Sequence, residues 1–167
     1  MSQLTIHRFP DPLLKQPTQL VHRIDEDVHR LIDAMVATMY RHPRCVGLAA
    51  PQVGSRLRVA VMDASVHPQG KGGRGLIILV NPSVIAAEGT VVQREGCLSI
   101  PDFTGNVQRA ARVQVQAYDQ DGRLQEFWLE GFEAIIAQHE IDHLDGKLFL
   151  DRVANLRTDV FRRKTYG

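Results

Sequence analysis

The chain has 167 residues, 44% of them apolar and 23% charged, with a formal net charge of +1. That length fits one compact domain over residues 1–167 with a real core, and the composition excludes the disordered and collagen-like classes. So small a net charge gives no general polyanion-binding surface and no specific nucleic-acid site, and the one uneven place is the C-terminal end, with Arg157, Arg162, Arg163 and Lys164.

In chain order, the first thirty residues interleave Pro10, Pro12 and Pro17 with charges. No apolar run there is long enough for a signal sequence or a membrane span, so the expectation is a cytoplasmic protein with no membrane partner. Ile24, Val28, Leu31, Ile32, Met35, Val36 and Met39 recur at helical spacing, and Asp25 is placed to cap them. An N-terminal amphipathic helix is predicted over about residues 25–41. Short β-rich runs, Leu57 to Met62, Leu76 to Val80 and Thr90 to Gln93, are separated by Gly, Pro and Asn. The segment HPQGKGGRG, His67 to Gly75, reads as one mobile surface loop. Val113, Val115 and Ala117 alternate with polar residues, Asp121-Gly122 supplies a turn, and Phe127 to Leu129 resumes the pattern, which predicts a hairpin. A second helix runs from about Phe132 to Leu144, stopped at Gly146. Strands joined by short turns, without alternating crossover helices, predict an α+β fold of mostly antiparallel sheet.

Within that second helix stands QHEIDHL. His139 and His143 are four residues apart, so both imidazoles lie on one face and can share an ion. Phe132, Ile135 and Ile136 continue that face as an apolar stripe. Ala134, Ala137, Ile141 and Leu144 make much of the rest apolar too, which predicts a central helix wrapped by sheet. Two histidines bonded to carbonyls would be the bland alternative. Adjacent buried imidazoles need partners, and one divalent ion satisfies both.

A catalytic metal site generally takes three protein ligands and keeps a position open. A third histidine six residues beyond His143 would complete one known pattern, but Phe149 stands there. No Glu follows Glu140, so Asp145, Asp151 or a ligand from far upstream remain. Cys97, in REGCLSIP, falls at the end of a predicted strand and before a proline-containing turn, where a side chain can project into a cleft. A lone cysteine is more often a small buried thiol. Beside two histidines it is a candidate thiolate ligand for iron, cobalt, nickel or zinc.

Three separated segments, VGLAAPQ (Val46 to Gln52), EGCLS (Glu95 to Ser99) and QHEIDHL (Gln138 to Leu144), resemble the peptide deformylases in order and spacing over nearly the whole chain. The resemblance implies that Cys97, His139 and His143 bind the metal, with Fe(2+) the native ion and Zn(2+) or Ni(2+) possible occupants. It also implies antiparallel sheets around the motif helix. The substrates implied are N-formylmethionyl peptides of nascent chains, hydrolysed to release formate. One departure stands out: Cys45 occupies the place of the usual first glycine. Were that position to require positive φ, Cys45 would cost about 1 kcal/mol through its Cβ, with a local change in the loop and catalysis retained.

Deformylation is amide hydrolysis, and the motifs offer a part for each task. A metal would acidify a water, and Glu140 would carry its proton to the departing amine. Gln52 is the candidate oxyanion donor, and by resemblance the Leu98 backbone N–H is the second. Gly47, Ala49 and Ala50 are small enough to let main chain approach substrate. Main-chain groups near Val46 and Gly96 could then pair with an extended peptide as an added strand. Val46, Phe132, Ile135 and Ile136 are candidates for the methionine pocket. A Glu95–Arg109 ion pair would matter only if buried. The basic tail offers a transient ribosome contact, although a solvated end is the commoner meaning of such charge. Rival readings are a general metallopeptidase or other metal amidase, and a binding protein that keeps the fold without turnover. Intact Gln52, Cys97, His139, Glu140 and His143 argue against the latter.

Overall fold

The structure, a computed structural model, describes residues 4–164. In chain order its main elements are α1 (Glu26–Arg41), β1 (Gly47–Ala49), β2 (Val59–Asp63), β3 (Leu76–Glu88), β4 (Val91–Cys97), β5 (Ile100–Arg109), β6 (Arg112–Tyr118), β7 (Leu124–Glu130), α2 (Gly131–Leu144) and β8 (Val160–Arg162), with short 3-10 turns between them. Five strands form one sheet in the order β1-β2-β3-β6-β7, and three form another in the order β4-β5-β8. All pairings between these strands are antiparallel, in keeping with the α+β expectation.

The Asp25 side chain accepts from Val28 N–H at 3.0 Å and so starts α1. Val28, Ile32, Met35 and Met39, spaced at helical period, are the buried face. They pack on Leu48, Val59, Val61 and Val80, one face of the larger sheet. On strand β2 the alternate residues Ala60 and Met62 point the other way, into a second cluster with Ala134, Ile136, Ala137, Ile141 and Leu144 of α2. A strand packed on both faces reads as a continuous apolar run, which is why Val59–Asp63 shows no polar alternation. Helix α2 is itself buried over Ala134 to Ala137 and Glu140 to Leu144. Its other flank meets the smaller sheet, beneath which Leu14, Cys97, Ile100, Val107, Leu148 and Phe149 form a third cluster.

Several local expectations need correction. Strand β3 does not stop at Val80 but runs on to Glu88 through a register shift between Val80 and Ser83. Asn81 takes φ 53° there, and its side chain bonds Val21 N–H and Val21 C=O at 2.8 Å each, so the bulge is held from outside the sheet. The chain after Cys97 is not a proline turn: Leu98 and Ser99 alone make the turn, and Pro101 lies inside β5. The glycine-rich segment is a surface loop, mostly exposed as expected, but it is anchored at two points. Gly70 is buried with no room for a Cβ against Ala64 C=O, and Arg74 N–H donates to Glu133 Oε2 of α2 at 2.8 Å.

Candidate metal centre

The β4–β5 hairpin delivers Cys97 to the buried side of the smaller sheet, 8% exposed, with Sγ 3.3 Å from His143 Nε2. His139 and His143 stand on successive turns of α2 with ring centroids 4.9 Å apart. One ligand atom from each of Cys97, His139 and His143 lies within 4.8 Å of the others. Glu95 Oε1 sits 2.8 Å from His139 Nδ1, so the other ring nitrogen is left to face an ion. One thiolate and two imidazoles suit a first-row divalent metal, and three protein donors leave coordination open. The residues therefore fit a catalytic metal.

The other acids considered downstream are engaged elsewhere. Asp145 Oδ1 pairs with Arg58 Nη1 at 2.7 Å. Asp151 pairs with Lys15 and accepts from Leu148 N–H at 2.8 Å. Phe149, at the position a third histidine would take, stacks on His139 with centroids 6.5 Å apart.

Glu140 is 3% exposed, and its Oε1 has no hydrogen-bond partner among the described residues. Burial pushes its carboxyl up to about 7. A Cβ on Gly47 would lie 2.5 Å from Glu140 Oε2. The missing side chain at Gly47 thus makes room for the carboxylate first of all. Ala49 and Ala50, expected to favour close approach of substrate, are instead fully buried core residues.

Gln52, 2% exposed, is oriented by its own loop: Ala49 N–H donates to its Oε1 at 2.9 Å. Its Nε2 consequently points toward the centre, 3.4 Å from Cys97 Sγ and 3.2 Å from Ser99 Oγ. Ser99 in turn donates to His7 C=O at 2.7 Å, tying the hairpin turn to the N-terminal segment. Leu98 occupies that turn and is half-buried against the α1 cluster. Val46 and Phe132 are half-buried beside the cluster that contains Ile136, while Ile135 is nearly covered.

The Glu95–Arg109 pair is buried and two-pronged, at 2.7 and 2.8 Å. Arg109 Nη1 also reaches Asp142 Oδ2 at 2.6 Å, and Asp142 is held by Arg152 at 2.8 and 3.0 Å. Burial works to raise the Glu95 carboxyl, but the bonds from Arg109 and His139 outweigh it and hold it down to about 2. Ser99, Asp142 and Arg152 were missed in the sequence. Asp142 carried a usable signal, because an acid flanked by Ile141 and the inward-facing His143 on a helix expected to be central needs a buried partner.

Cys45 is buried with its thiol 3.3 Å from Gly47 C=O, and burial pushes it up to about 12. Its own backbone does not take the positive φ that would have strained it. Positive φ falls one residue earlier, on Arg44 at 64°.

A sequence model of the polypeptide deformylase family matches residues 3–159. The chain is similar to a peptide deformylase of Syntrophobacter fumaroxidans, 43% identical over 98% of this chain and 94% of that one. Its structure is similar to that of a peptide deformylase from Thermotoga maritima, 36% identical with a TM-score of 0.85, covering 93% of this chain and 100% of that one. It is also similar to a peptide deformylase of Acinetobacter baumannii crystallised with Met-Ala-Ser bound, 34% identical with a TM-score of 0.84, covering 91% and 99%. The chain belongs to the polypeptide deformylase family, metal-dependent hydrolases that remove the N-formyl group from nascent peptides.

Proposed function

We propose that residues 1–167 form a single catalytic domain acting in the cytoplasm, in which Cys97, His139 and His143 hold one divalent ion, natively Fe(2+), with Zn(2+) or Ni(2+) able to replace it. The observation that carries this reading is the convergence of three ligand atoms within 4.8 Å beside a buried carboxylate with an unpartnered oxygen. Bound there, the ion supplies Lewis acidity toward the formyl carbonyl and toward water. Glu140 accepts the proton of the attacking water and passes it to the departing amine; a carboxyl near neutrality can do both. Gln52 Nε2 and the Leu98 backbone N–H donate to the developing oxyanion, each contributing about 2.7 to 4 kcal/mol in the transition state.

Val46, Phe132, Ile135 and Ile136 take the methionine side chain on the α2 side of the centre. The peptide itself runs in the gap between the sheets, pairing with main chain at Val46 and Gly47 on one side and Gly96 on the other. In its support, β1 and β4 are each the outermost strand of their sheet, so both present unpaired backbone groups. Met-Ala-Ser bound to the Acinetobacter relative is a peptide of the expected kind.

Formate release from formyl-Met-Ala-Ser, measured with metal content for the wild type and Glu140→Gln, tests the reading. The variant should lose about 10² to 10⁴ in rate while keeping its metal. Equal rates would remove Glu140 from the chemistry, and cleavage of internal peptide bonds would favour the metallopeptidase alternative. A transient ribosome contact is a second reading, supported by the exposure of Arg157, Arg162, Arg163 and Lys164. Its measurement is salt-dependent co-sedimentation with ribosomes, expected to disappear when all four become glutamine. No helix among the described residues is long and apolar enough to cross a membrane.

A further inference from the structure

We propose that Arg163 reads the second residue of the formylated peptide and favours an acidic side chain there. This rests on the reading that the peptide docks along the free edge of β4.

Strand β8 lies against β5, and one residue beyond it Arg163 N–H donates to Asp102 C=O at 2.7 Å, so the chain continues in register past the strand. From there the Arg163 side chain crosses β5 to reach β4. A Cβ built on Gly96 would meet Arg163 Nη2 at 2.1 Å and Thr104 Cγ2 at 3.4 Å. The guanidinium therefore lies directly over the residue preceding the ligand Cys97, in space that any side chain at Gly96 would occupy.

The two faces of β4 differ in what they present. Glu95 and Cys97 are buried, and the alternate residues Arg94 and Gly96 are exposed on the opposite face. Arg94 stacks over the Phe161 ring, 3.7 Å from its centroid, which places Arg94, Phe161 and Arg163 together on the outer face. Among the described residues no carboxylate forms an ion pair with Arg94 or Arg163. Two exposed cations thus flank Gly96 without an internal counter-charge.

A peptide added as a strand alternates its side chains between the faces. With methionine turned inward toward Val46 and Ile135, the next side chain must emerge on the outer face, beneath Arg163. A Glu or Asp there meets a guanidinium whose planar fork matches a carboxylate, whereas a Lys meets like charge. Because the pair is solvent-exposed, the expected gain is about two- to fivefold for Glu over a neutral residue, weakening with salt.

The test compares kcat/KM for formyl-Met-Glu-Ser, formyl-Met-Ala-Ser and formyl-Met-Lys-Ser, using the full metal-loaded chain as wild type, Arg163→Gln and Arg163→Lys. In the wild type the order should be Glu above Ala above Lys, with the difference residing in KM and shrinking at high salt. Arg163→Gln should bring the Glu and Lys peptides to within about twofold of each other, and Arg163→Lys should retain the order. An unchanged Glu-to-Lys ratio in Arg163→Gln would overturn the assignment. Calorimetric binding of the unformylated Met-Glu-Ser and Met-Lys-Ser is read in parallel. If no peptide releases formate, the deformylase reading fails, and the binding contrast alone still decides for or against Arg163.

Discussion

At Gly47 a single hydrogen separates the β1 backbone from the Glu140 carboxylate. Only glycine leaves that gap, since a Cβ would lie 2.5 Å from Oε2. Cys45 supports the same spot by directing its thiol at Gly47 C=O, and burial keeps that thiol protonated. Gly47→Ala is therefore expected to displace the carboxylate by a large fraction of an ångström. Misplacement on that scale costs about 10²-fold in rate, while the Cys97, His139 and His143 side chains are untouched. Formate release together with metal content checks this, and a full rate in the alanine variant would show that the carboxylate tolerates the shift. The candidate metal-binding residues were legible as residue types because imidazole and thiolate chemistry does not depend on the surrounding fold. The reason for glycine at position 47 was not, because the atom it avoids lies far along the chain in α2.

Among elements, the β4–β5 hairpin and α2 are joined by one chain of charges, His139 to Glu95 to Arg109 to Asp142 to Arg152. Arg109 sits at its middle and is buried between two carboxylates. Replacing it with methionine would leave Glu95 and Asp142 without their shared partner, at a cost of about 3 to 5 kcal/mol. Glu95 would then hold His139 less firmly, and loss of such a supporting contact lowers metal affinity by about 10- to 100-fold. Chemical denaturation and metal titration of Arg109→Met give the two numbers; a variant with wild-type metal affinity would confine the network to stability. Element legibility varied for physical reasons. The α1 stripe and the β6–β7 hairpin announce themselves through period and turn residues, since each is half-exposed. Strand β5 contains Pro101, Gly105 and Asn106, which are poor strand formers, and it exists because β4 and β8 pair with it. Likewise Asn81 and Pro82 look like a strand end, yet β3 passes through them as a bulge.

Across the whole molecule, two sheets stand on either flank of α2, and their edge strands β1 and β4 bring Gly47 beside Glu140 and Cys97 beside His143. The basic C-terminal segment, which reads in isolation as a solvated tail, is pinned onto β5 through Val160–Arg162 and carries Arg163 across to Gly96. Its last three residues lie outside the described range. By itself the sequence determined the family and the candidate site: the HEIDH spacing puts two imidazoles on one helix face, and the triple motif match points to Cys97, Gln52 and Glu140 as its candidate partners. Local spacing suffices for this, because a helical turn places its own side chains. Only the tertiary structure decided that Gly47 makes room for Glu140, that Glu95 and Arg109 steady His139, and that Arg163 lies over Gly96. Those contacts join residues from 14 to 93 positions apart, from Glu95–Arg109 to Gly47–Glu140. Periodicity carries no information over such separations, and strand pairing and core packing set them instead.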